Sequence, residues 1–128
     1  MKGSTKIVIG ILIATVVVLA FFRLTSNASA EPGIYDDFAQ CLSDSGTKMY
    51  GAYWCPHCEN QKKLFGSSFD YAPYIECDPL GDDAQPELCK SQAIEGYPTW
   101  IFPDGTRRSG EIPLRTLAAL SDCELPTQ

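Results

Sequence analysis

The chain has 128 residues, a net charge of −6 at pH 7 and six cysteines. All sixteen acidic residues but only seven of the ten basic ones lie in residues 31–128, so this part carries a net charge of −9. Such a surface excludes nucleic acid as a partner, because it would repel the phosphate backbone. Its 98 residues suffice for one small domain.

The first 30 residues differ in kind from the rest. Two lysines precede sixteen uncharged, mostly apolar residues, Ile7–Phe22, and Arg23 follows. A basic stretch before an apolar run is typical of an export segment, and the lysines favour an amino terminus that stays inside. We therefore predict a signal-anchor or signal peptide over residues 1–30 and an extracytoplasmic domain, periplasmic or at the cell surface, over residues 31–128.

Two fates are open for this segment. The sequence Ala28-Ser29-Ala30 resembles a signal-peptidase site, and cleavage after Ala30 would secrete the domain. The apolar run, extended over residues 7–24 by snorkelling of the flanking basic side chains, also approaches the length of about 20 residues that spans a bilayer. We favour a retained membrane anchor, because the cleavage site lies well beyond the apolar run.

The sequence of residues 31–128 predicts alternating helices and strands. Apolar residues recur at helical spacing over residues 34–44, and Gly46 ends this first helix. The segment Met49–Trp54 alternates in the manner of a short strand. Pro56 then opens a second helix, where its missing N–H is no loss, and Gly66 ends that helix as a left-handed cap.

The remaining elements continue this alternation. A second strand is expected between Phe69 and Cys77, starting nearer Tyr74 because Pro73 disfavours a strand interior. The later elements are a helix over residues 86–93, a hairpin with strands over 99–102 and 106–109, and a last helix over 114–120. A crossover helix makes the first two strands parallel, whereas the hairpin is antiparallel. We therefore predict an α/β fold with a central mixed sheet flanked by helices.

Two cysteines, Cys55 and Cys58, lie at the junction of the first strand and the second helix. Free N–H groups and the positive end of the helix dipole meet at Cys55, which favours the thiolate, the form that attacks a disulfide. Cys58 lies one turn further along the same face, near enough to form a ring with Cys55. This arrangement is typical of dithiol–disulfide exchange.

Other interpretations of this pair are open. A Cys-x-x-Cys can be half of a zinc site with Cys77 and Cys89 as the other half, although their spacing is not that of a zinc knuckle. A purely structural disulfide is disfavoured, since structural pairs usually bridge distant segments.

His57 is the single histidine of the chain and stands between the two cysteines. As a candidate catalytic residue it can donate to the Cys55 thiolate or, when protonated, attract it. Stabilising the thiolate stabilises the reduced dithiol and makes the disulfide the better oxidant. A solvent-facing histidine without a function is the alternative.

At this point the sequence resembles the thioredoxin fold over residues 34–122, on its element order, its Trp54–Cys58 motif and Pro98 before a strand. Three segments further resemble the thioredoxin-like domain that accompanies bacterial and plant vitamin K epoxide reductase homologues: Tyr50–Cys58, Ile75–Cys77 and Gly96–Trp100. The Cys-Pro-His-Cys (CPHC) sequence is shared with the periplasmic oxidant DsbA. The four-helix quinone-reducing domain of those fusions is not in this sequence, so the resemblance implies a membrane partner on a separate chain.

The resemblance also assigns roles to individual residues. Cys55 would be the attacking, partly exposed cysteine and Cys58 the buried resolving one. The Tyr97–Pro98 peptide bond would be cis, which only tertiary contacts can enforce, and the Tyr97 backbone would pair with an extended substrate segment. Trp54, Tyr97 and Pro98 are therefore the expected substrate-binding residues.

Four further cysteines form an even set, Cys41, Cys77, Cys89 and Cys123. In an exported domain such a set indicates disulfides, for which three pairings exist. The related domains carry an additional pair near Cys77 and Cys89, so the resemblance implies that bridge and leaves Cys41 with Cys123. Buried free thiols are the alternative.

One departure from thioredoxins bears on the direction of the reaction. Thioredoxins keep a buried aspartate six residues before the first cysteine, and here Met49 has that position. Because that proton acceptor is missing, we expect the protein to act as an oxidase rather than as a reductase. The predicted function is an extracytoplasmic thiol–disulfide oxidoreductase that oxidises the cysteines of exported proteins. A membrane vitamin K epoxide reductase homologue would reoxidise it, and no cofactor or metal is expected.

Two other functions remain open. The first is a reductase fed by a transmembrane electron donor. The second is a non-catalytic, disulfide-stapled binding module.

Overall fold

The computed structural model describes residues 33–127 without a break and, before them, positions 9, 11 and 15–18. The chain divides into two compact units, Met1–Glu31 and Pro32–Gln128. The described positions of the first unit are helical and exposed, and no helix among the described residues has the length and apolar character needed to cross a membrane. The predicted anchor over residues 7–24 lies largely, and the predicted cleavage site wholly, outside the described residues.

Within residues 33–127 the secondary structure follows the predicted order, with one 3-10 helix added. The helices are α1 (Asp36–Asp44), α2 (Pro56–Phe65), the 3-10 helix (Gly66–Tyr71), α3 (Pro86–Ser91) and α4 (Leu114–Ser121). The strands are β1 (Lys48–Gly51), β2 (Tyr74–Glu76), β3 (Thr99–Ile101) and β4 (Arg107–Ser109).

The strands described in residues 33–127 form a four-stranded sheet with the order β2-β1-β3-β4. β1 is parallel to β2, and β3 is antiparallel to both of its neighbours. A crossover through a helix from β1 to a parallel β2, followed by an antiparallel hairpin on the other side of β1, is the thioredoxin fold. The predicted α/β class, mixed sheet and thioredoxin fold are confirmed.

Alternation along β1 directs successive side chains to opposite faces of the sheet. Met49 belongs to the larger core and Tyr50 to a smaller one. In the larger core the fully buried Trp100 stacks with Phe65 of α2, with ring centroids 6.4 Å apart, and Phe65 stacks with Phe38 of α1 at 6.0 Å. Burying a large apolar side chain stabilises by about 1.5–3 kcal/mol, so this aromatic stack fixes α2 firmly against the sheet.

Several element boundaries differ from the prediction, and β1 ends at Gly51 rather than at Trp54. α1 begins at Asp36, and Ile34 before it is 67% exposed and has no core to join. α3 ends at Ser91, because Ala93 already has a positive φ of 49° that breaks the helix. Gly66 does end α2 at a positive φ of 59°, but its ψ of −136° is not that of a left-handed cap. The chain turns there directly into the 3-10 helix.

Candidate active site

Cys55 caps the amino terminus of α2. β1 ends at Gly51, a turn follows, and Cys55 has an extended conformation (φ −77°, ψ 117°) before Pro56 begins the helix. Its sulfur accepts a hydrogen bond from the Cys58 backbone N–H at 3.4 Å, as the side chain of an N-cap residue does. The helix terminus thus points N–H donors at a sulfur that carries negative charge during disulfide exchange.

Both thiols of the pair are buried, with Cys55 4% exposed and Cys58 fully enclosed. The prediction that Cys55 is partly exposed is therefore wrong. Its thiol donates a hydrogen bond to the Tyr97 carbonyl at 3.7 Å, and the Tyr97 side chain packs against the same core. The loop that carries Tyr97 covers the sulfur that the helix terminus presents.

The Tyr97–Pro98 peptide bond, just before β3, is cis. Pro98 is fully buried, and its carbonyl accepts a hydrogen bond from the Gly110 N–H at 2.8 Å, beyond the end of β4. This bond ties the proline loop to the hairpin. The Tyr97 backbone thereby lies beside Cys55, at the position where the resemblance to the thioredoxin superfamily implies that a substrate segment pairs.

Trp54 forms an exposed aromatic rim next to Cys55. It is 58% exposed, its indole Nε1 donates to Asp78 Oδ2 at 2.7 Å, and its ring meets that of Tyr97 edge-on at 6.1 Å between centroids. Hydrogen bonds from the Leu80 N–H and then from Trp54 hold the pKa of Asp78 below its ordinary value. An ionised carboxylate therefore orients the aromatic surface at the mouth of the site.

His57 lies on the outside of the site and bonds to a partner distant in sequence. Its side chain is 67% exposed, and its Nδ1 lies 2.6 Å from Glu111 Oε1. The Asn60 amide donates to the same oxygen at 3.1 Å, and these two bonds, that of His57 first, hold the pKa of Glu111 below its ordinary value. Sequence reasoning missed Glu111, because no local pattern connects residues 54 positions apart.

Cys58 lies on the interior side of Cys55. Burial, followed by a hydrogen bond with Cys55, raises the pKa of the Cys58 thiol to about 12. The end of β1 passes directly against this sulfur, since a Cβ on Gly51 would lie 2.9 Å from Cys58 Sγ and 2.8 Å from Cε2 of Tyr74. Only glycine leaves the space that Cys58 and Tyr74 share at this position.

Behind Tyr74 lies a carboxylate that the sequence analysis did not single out. Glu76 is 5% exposed, and it accepts hydrogen bonds from the Tyr74 hydroxyl at 2.7 Å and from the Asp78 N–H at 2.8 Å. Burial, followed by the bond with Glu76, raises the pKa of Tyr74 well above its ordinary value. The available signal was the spacing, because residues two apart on a strand share a face.

The other four cysteines are joined in two disulfides. Cys41 bonds to Cys123 with an S–S distance of 2.05 Å, and Cys77 to Cys89 with 1.98 Å. Because Cys77 and Cys89 bond to each other, they do not complete a zinc site with the Cys55–Cys58 pair. The free-thiol alternative does not hold for these four residues.

A thioredoxin fold, a Cys-x-x-Cys pair at the start of the helix after a central strand, and a cis-proline loop against the first cysteine define a thioredoxin-like dithiol protein. A comparison with protein-family models finds no match. Thiol-disulfide oxidoreductase LTO1 of Arabidopsis thaliana is 40% identical over 111 residues, which cover 84% of this chain and 29% of that protein. The chain therefore spans less than a third of the length of this relative.

Solved structures with partial similarity also exist. Thioredoxin of Malassezia sympodialis (Mala s 13) aligns with 19% identity and a TM-score of 0.43, covering 60% of this chain and 72% of the other. A structure on the thiol resolving mechanism in yeast mitochondrial 1-Cys peroxiredoxin via glutathione/thioredoxin systems aligns with 18% identity and a TM-score of 0.42, covering 59% and 76%. The assignment of the fold rests on the strand order and connections given above.

Proposed function

We propose that the chain is an extracytoplasmic thiol–disulfide oxidoreductase that oxidises cysteines of exported proteins through a Cys55–Cys58 disulfide. The observation that carries this proposal is the position of Cys55, which caps α2 and lies 3.7 Å from the Tyr97 carbonyl. The site therefore holds both a sulfur that accepts the Cys58 N–H at a helix amino terminus and a backbone edge against which a cysteine-containing segment can pair. The activity named for the Arabidopsis relative supports the same chemistry.

The reaction balances as a two-electron exchange. A substrate thiolate attacks Cys55 Sγ, the Cys55–Cys58 bond breaks, and Cys58 leaves as a thiolate that takes up a proton. A second substrate thiolate then attacks the substrate sulfur of the mixed disulfide, and Cys55 leaves. The substrate is oxidised to a disulfide and the protein is reduced to its dithiol.

The compartment and the partner are part of the proposal. The two disulfides outside the Cys55–Cys58 pair fit an oxidising compartment, since such bonds rarely persist in the cytosol. The apolar segment over residues 7–24 would tether the domain there. A separate membrane protein, a vitamin K epoxide reductase homologue, would present its own disulfide to the reduced pair. Cys55 would attack that disulfide and Cys58 would resolve the adduct.

Trapping of mixed disulfides tests this function. We expect Cys58→Ala to accumulate substrates and the membrane partner on Cys55 as adducts that disappear in reductant, because the resolving thiol is gone. Cys55→Ala is the matched control and should trap little, since Cys58 is fully buried. A binding module without turnover gives no adducts, and that outcome would overturn the proposal.

Stoichiometry gives a second readout. The oxidised protein alone should oxidise one dithiol per molecule of a reduced, unfolded protein, and turnover should continue only when membranes that contain the partner are added.

One observation favours a reductase as the second candidate. Glu76 is a buried carboxylate hydrogen-bonded to Tyr74, which lies beside Cys58, so the apolar Met49 does not leave Cys58 without a nearby acid. Acid quenching of cells followed by alkylation separates the two directions. An oxidase is found mainly as the disulfide, whereas a mainly dithiol population would establish the reductase.

A further inference from the structure

Cys58 must exchange a proton in every half-reaction, yet solvent does not reach it. When its thiol attacks a mixed disulfide it loses the proton, and when it leaves the Cys55–Cys58 bond it gains one. The side chain is fully buried, and the first cause that raises the pKa of this thiol is that burial. The proton therefore needs a route through protein groups.

Tyr74 is a half-buried polar side chain close to this sulfur. Cys58 Sγ and Tyr74 Oη lie 2.9 Å and 3.2 Å from the same point, the position that a Cβ on Gly51 would take. The two atoms are therefore at most about 6 Å apart and share no direct hydrogen bond, and one bridging water spans such a distance. The Tyr74 hydroxyl in turn donates to Glu76 Oε2 at 2.7 Å.

Glu76 has the position of a proton acceptor rather than of a surface ion-pair partner. The residue is 5% exposed, and its hydrogen bonds run to the Tyr74 hydroxyl and to the Asp78 N–H. A buried carboxylate is costly unless it is hydrogen-bonded. Here the two donors satisfy it while leaving it free of a cationic partner among the contacts described for residues 33–127.

The charged groups around this route come from three elements. From α2, the Lys62 ammonium lies 4.3 Å from the centre of the Tyr74 ring and pairs with Glu59 at 3.2 Å. Cys55 caps the amino terminus of α2, and Asp78 and Tyr97 come from the two flanking loops. Lys62 is the one cation of this set.

We propose that Tyr74 and Glu76 form the proton route of the resolving thiol, an inference that rests on the proposed function of the Cys55–Cys58 pair. As Cys58 Sγ bonds to Cys55 Sγ and the sulfur of the reoxidising partner leaves, the Cys58 proton passes through a bridging water to the Tyr74 hydroxyl, and the hydroxyl proton passes to the Glu76 carboxylate. Cys58 is oxidised and the leaving sulfur is reduced. In the opposite half-reaction Glu76 returns the proton to the departing Cys58 thiolate by the same path.

The test follows the reactions of the two thiols as two successive kinetic phases. The full chain, mildly reduced so that only Cys55 and Cys58 are thiols, is mixed with less than one equivalent of dithiobis(nitrobenzoate), and release of thionitrobenzoate is followed by absorbance. The first release reports attack by Cys55, and the second reports attack by Cys58 on the Cys55 adduct. Glu76→Gln removes the charge, and its single amide oxygen can still accept from the Asp78 N–H while its NH2 group donates to the Tyr74 hydroxyl. In this variant we expect an unchanged first release and a second release slowed about 100-fold near neutral pH.

The pH profile distinguishes proton transfer from a structural role. In Glu76→Gln and in Tyr74→Phe the second release should become proportional to hydroxide concentration, since the base is then supplied by solvent. Glu87→Gln, which removes an exposed carboxylate from α3, should match the wild type in both phases. A second release in Glu76→Gln and Tyr74→Phe with the rate and pH profile of the wild type would overturn the proton route.

The outcomes also separate this inference from the proposed function. A missing first release in the wild type would overturn the function itself, because Cys55 would then be no nucleophile. If one variant fails to fold, the other still decides, since each interrupts the route at a different atom.

Discussion

At the scale of single residues, the site depends on the lack of a side chain at Gly51 as much as on the thiols of Cys55 and Cys58. Gly51, the last residue of β1, leaves room for both Cys58 Sγ and the Tyr74 ring within 3 Å of where its Cβ would be. Strand interiors usually disfavour glycine, and here close approach of two side chains explains its presence. The backbone of β1 therefore lies directly against Cys58 and Tyr74.

We predict that Gly51→Ala destabilises the protein and slows the resolving thiol. The added methyl would lie 2.9 Å from Cys58 Sγ and 2.8 Å from Tyr74 Cε2, and overpacking of this kind costs about 1–3 kcal/mol. Urea unfolding measures the stability, and the second release of thionitrobenzoate measures the thiol.

Gly96→Ala is the matched control for this substitution. A Cβ on Gly96 meets no atom within 4 Å, so its stability should stay within about 0.5 kcal/mol of the wild type. Equal behaviour of the two variants would show that the space at Gly51 is not limiting.

The sequence predicted residues that a local pattern marks and missed those that the fold brings together. Cys55 and Cys58 follow from their spacing at a strand–helix junction. Glu111 reaches His57 only because the segment after β4 returns to α2. The burial of Glu76 depends on packing of the loop after β2, which no periodicity encodes.

At the scale of elements, one buried side chain fastens α2 to the segment after β4. Gln61 is fully buried, its Nε2 donates to the Ile112 carbonyl at 2.9 Å, and its Oε1 accepts from the Ile112 N–H at 2.6 Å. Gln61 therefore satisfies both backbone groups of one residue in the interior. This bond pair holds the active-site helix against the chain that carries Glu111.

We predict that Gln61→Leu lowers the free energy of unfolding by about 2–6 kcal/mol, because it leaves two buried backbone groups of Ile112 without a partner and each costs about 1–3 kcal/mol. Denaturant unfolding at constant redox state measures this loss. Asn60→Ala, which removes an exposed hydrogen bond to Glu111, should change stability by less than about 0.5 kcal/mol. A loss in Gln61→Leu no larger than that of the control would mean that the helix is held by apolar packing alone.

Element boundaries followed from the sequence where a proline or glycine marks them. α2 runs from Pro56 to Phe65, as expected from Pro56 and Gly66, and β2 begins at Tyr74, directly after Pro73. The 3-10 helix between them was missed, because Ser68 is its one buried residue and Phe69 is half-buried, so that no apolar period marks it.

At the scale of the whole domain, the two disulfides constrain very different lengths of chain. Cys41–Cys123 joins α1 to the segment after α4 across 82 residues, whereas Cys77–Cys89 closes only 12. Loop-closure entropy grows with the length of the closed loop. The long bridge therefore restrains almost the whole described domain, and the short one restrains the loop that carries Asp78.

We predict that replacing Cys41 and Cys123 by alanine costs about 4.5 kcal/mol of stability and replacing Cys77 and Cys89 about 3 kcal/mol, on the chain-entropy account. Urea unfolding of both double variants, with the Cys55–Cys58 pair kept in one state, gives the comparison. A larger loss from the short bridge would show that native contacts, rather than chain entropy, dominate.

The two tryptophans of the chain occupy opposite environments. Trp100 is fully enclosed in the aromatic core, whereas Trp54 is 58% exposed beside Cys55 and held by Asp78. A buried indole emits at shorter wavelength than a solvent-exposed one. A nearby sulfur or a docked peptide changes the emission of the exposed indole. The molecule thus carries two intrinsic fluorophores, one that reports the integrity of the core and one that reports events at the thiols, so that each can be followed without an attached dye.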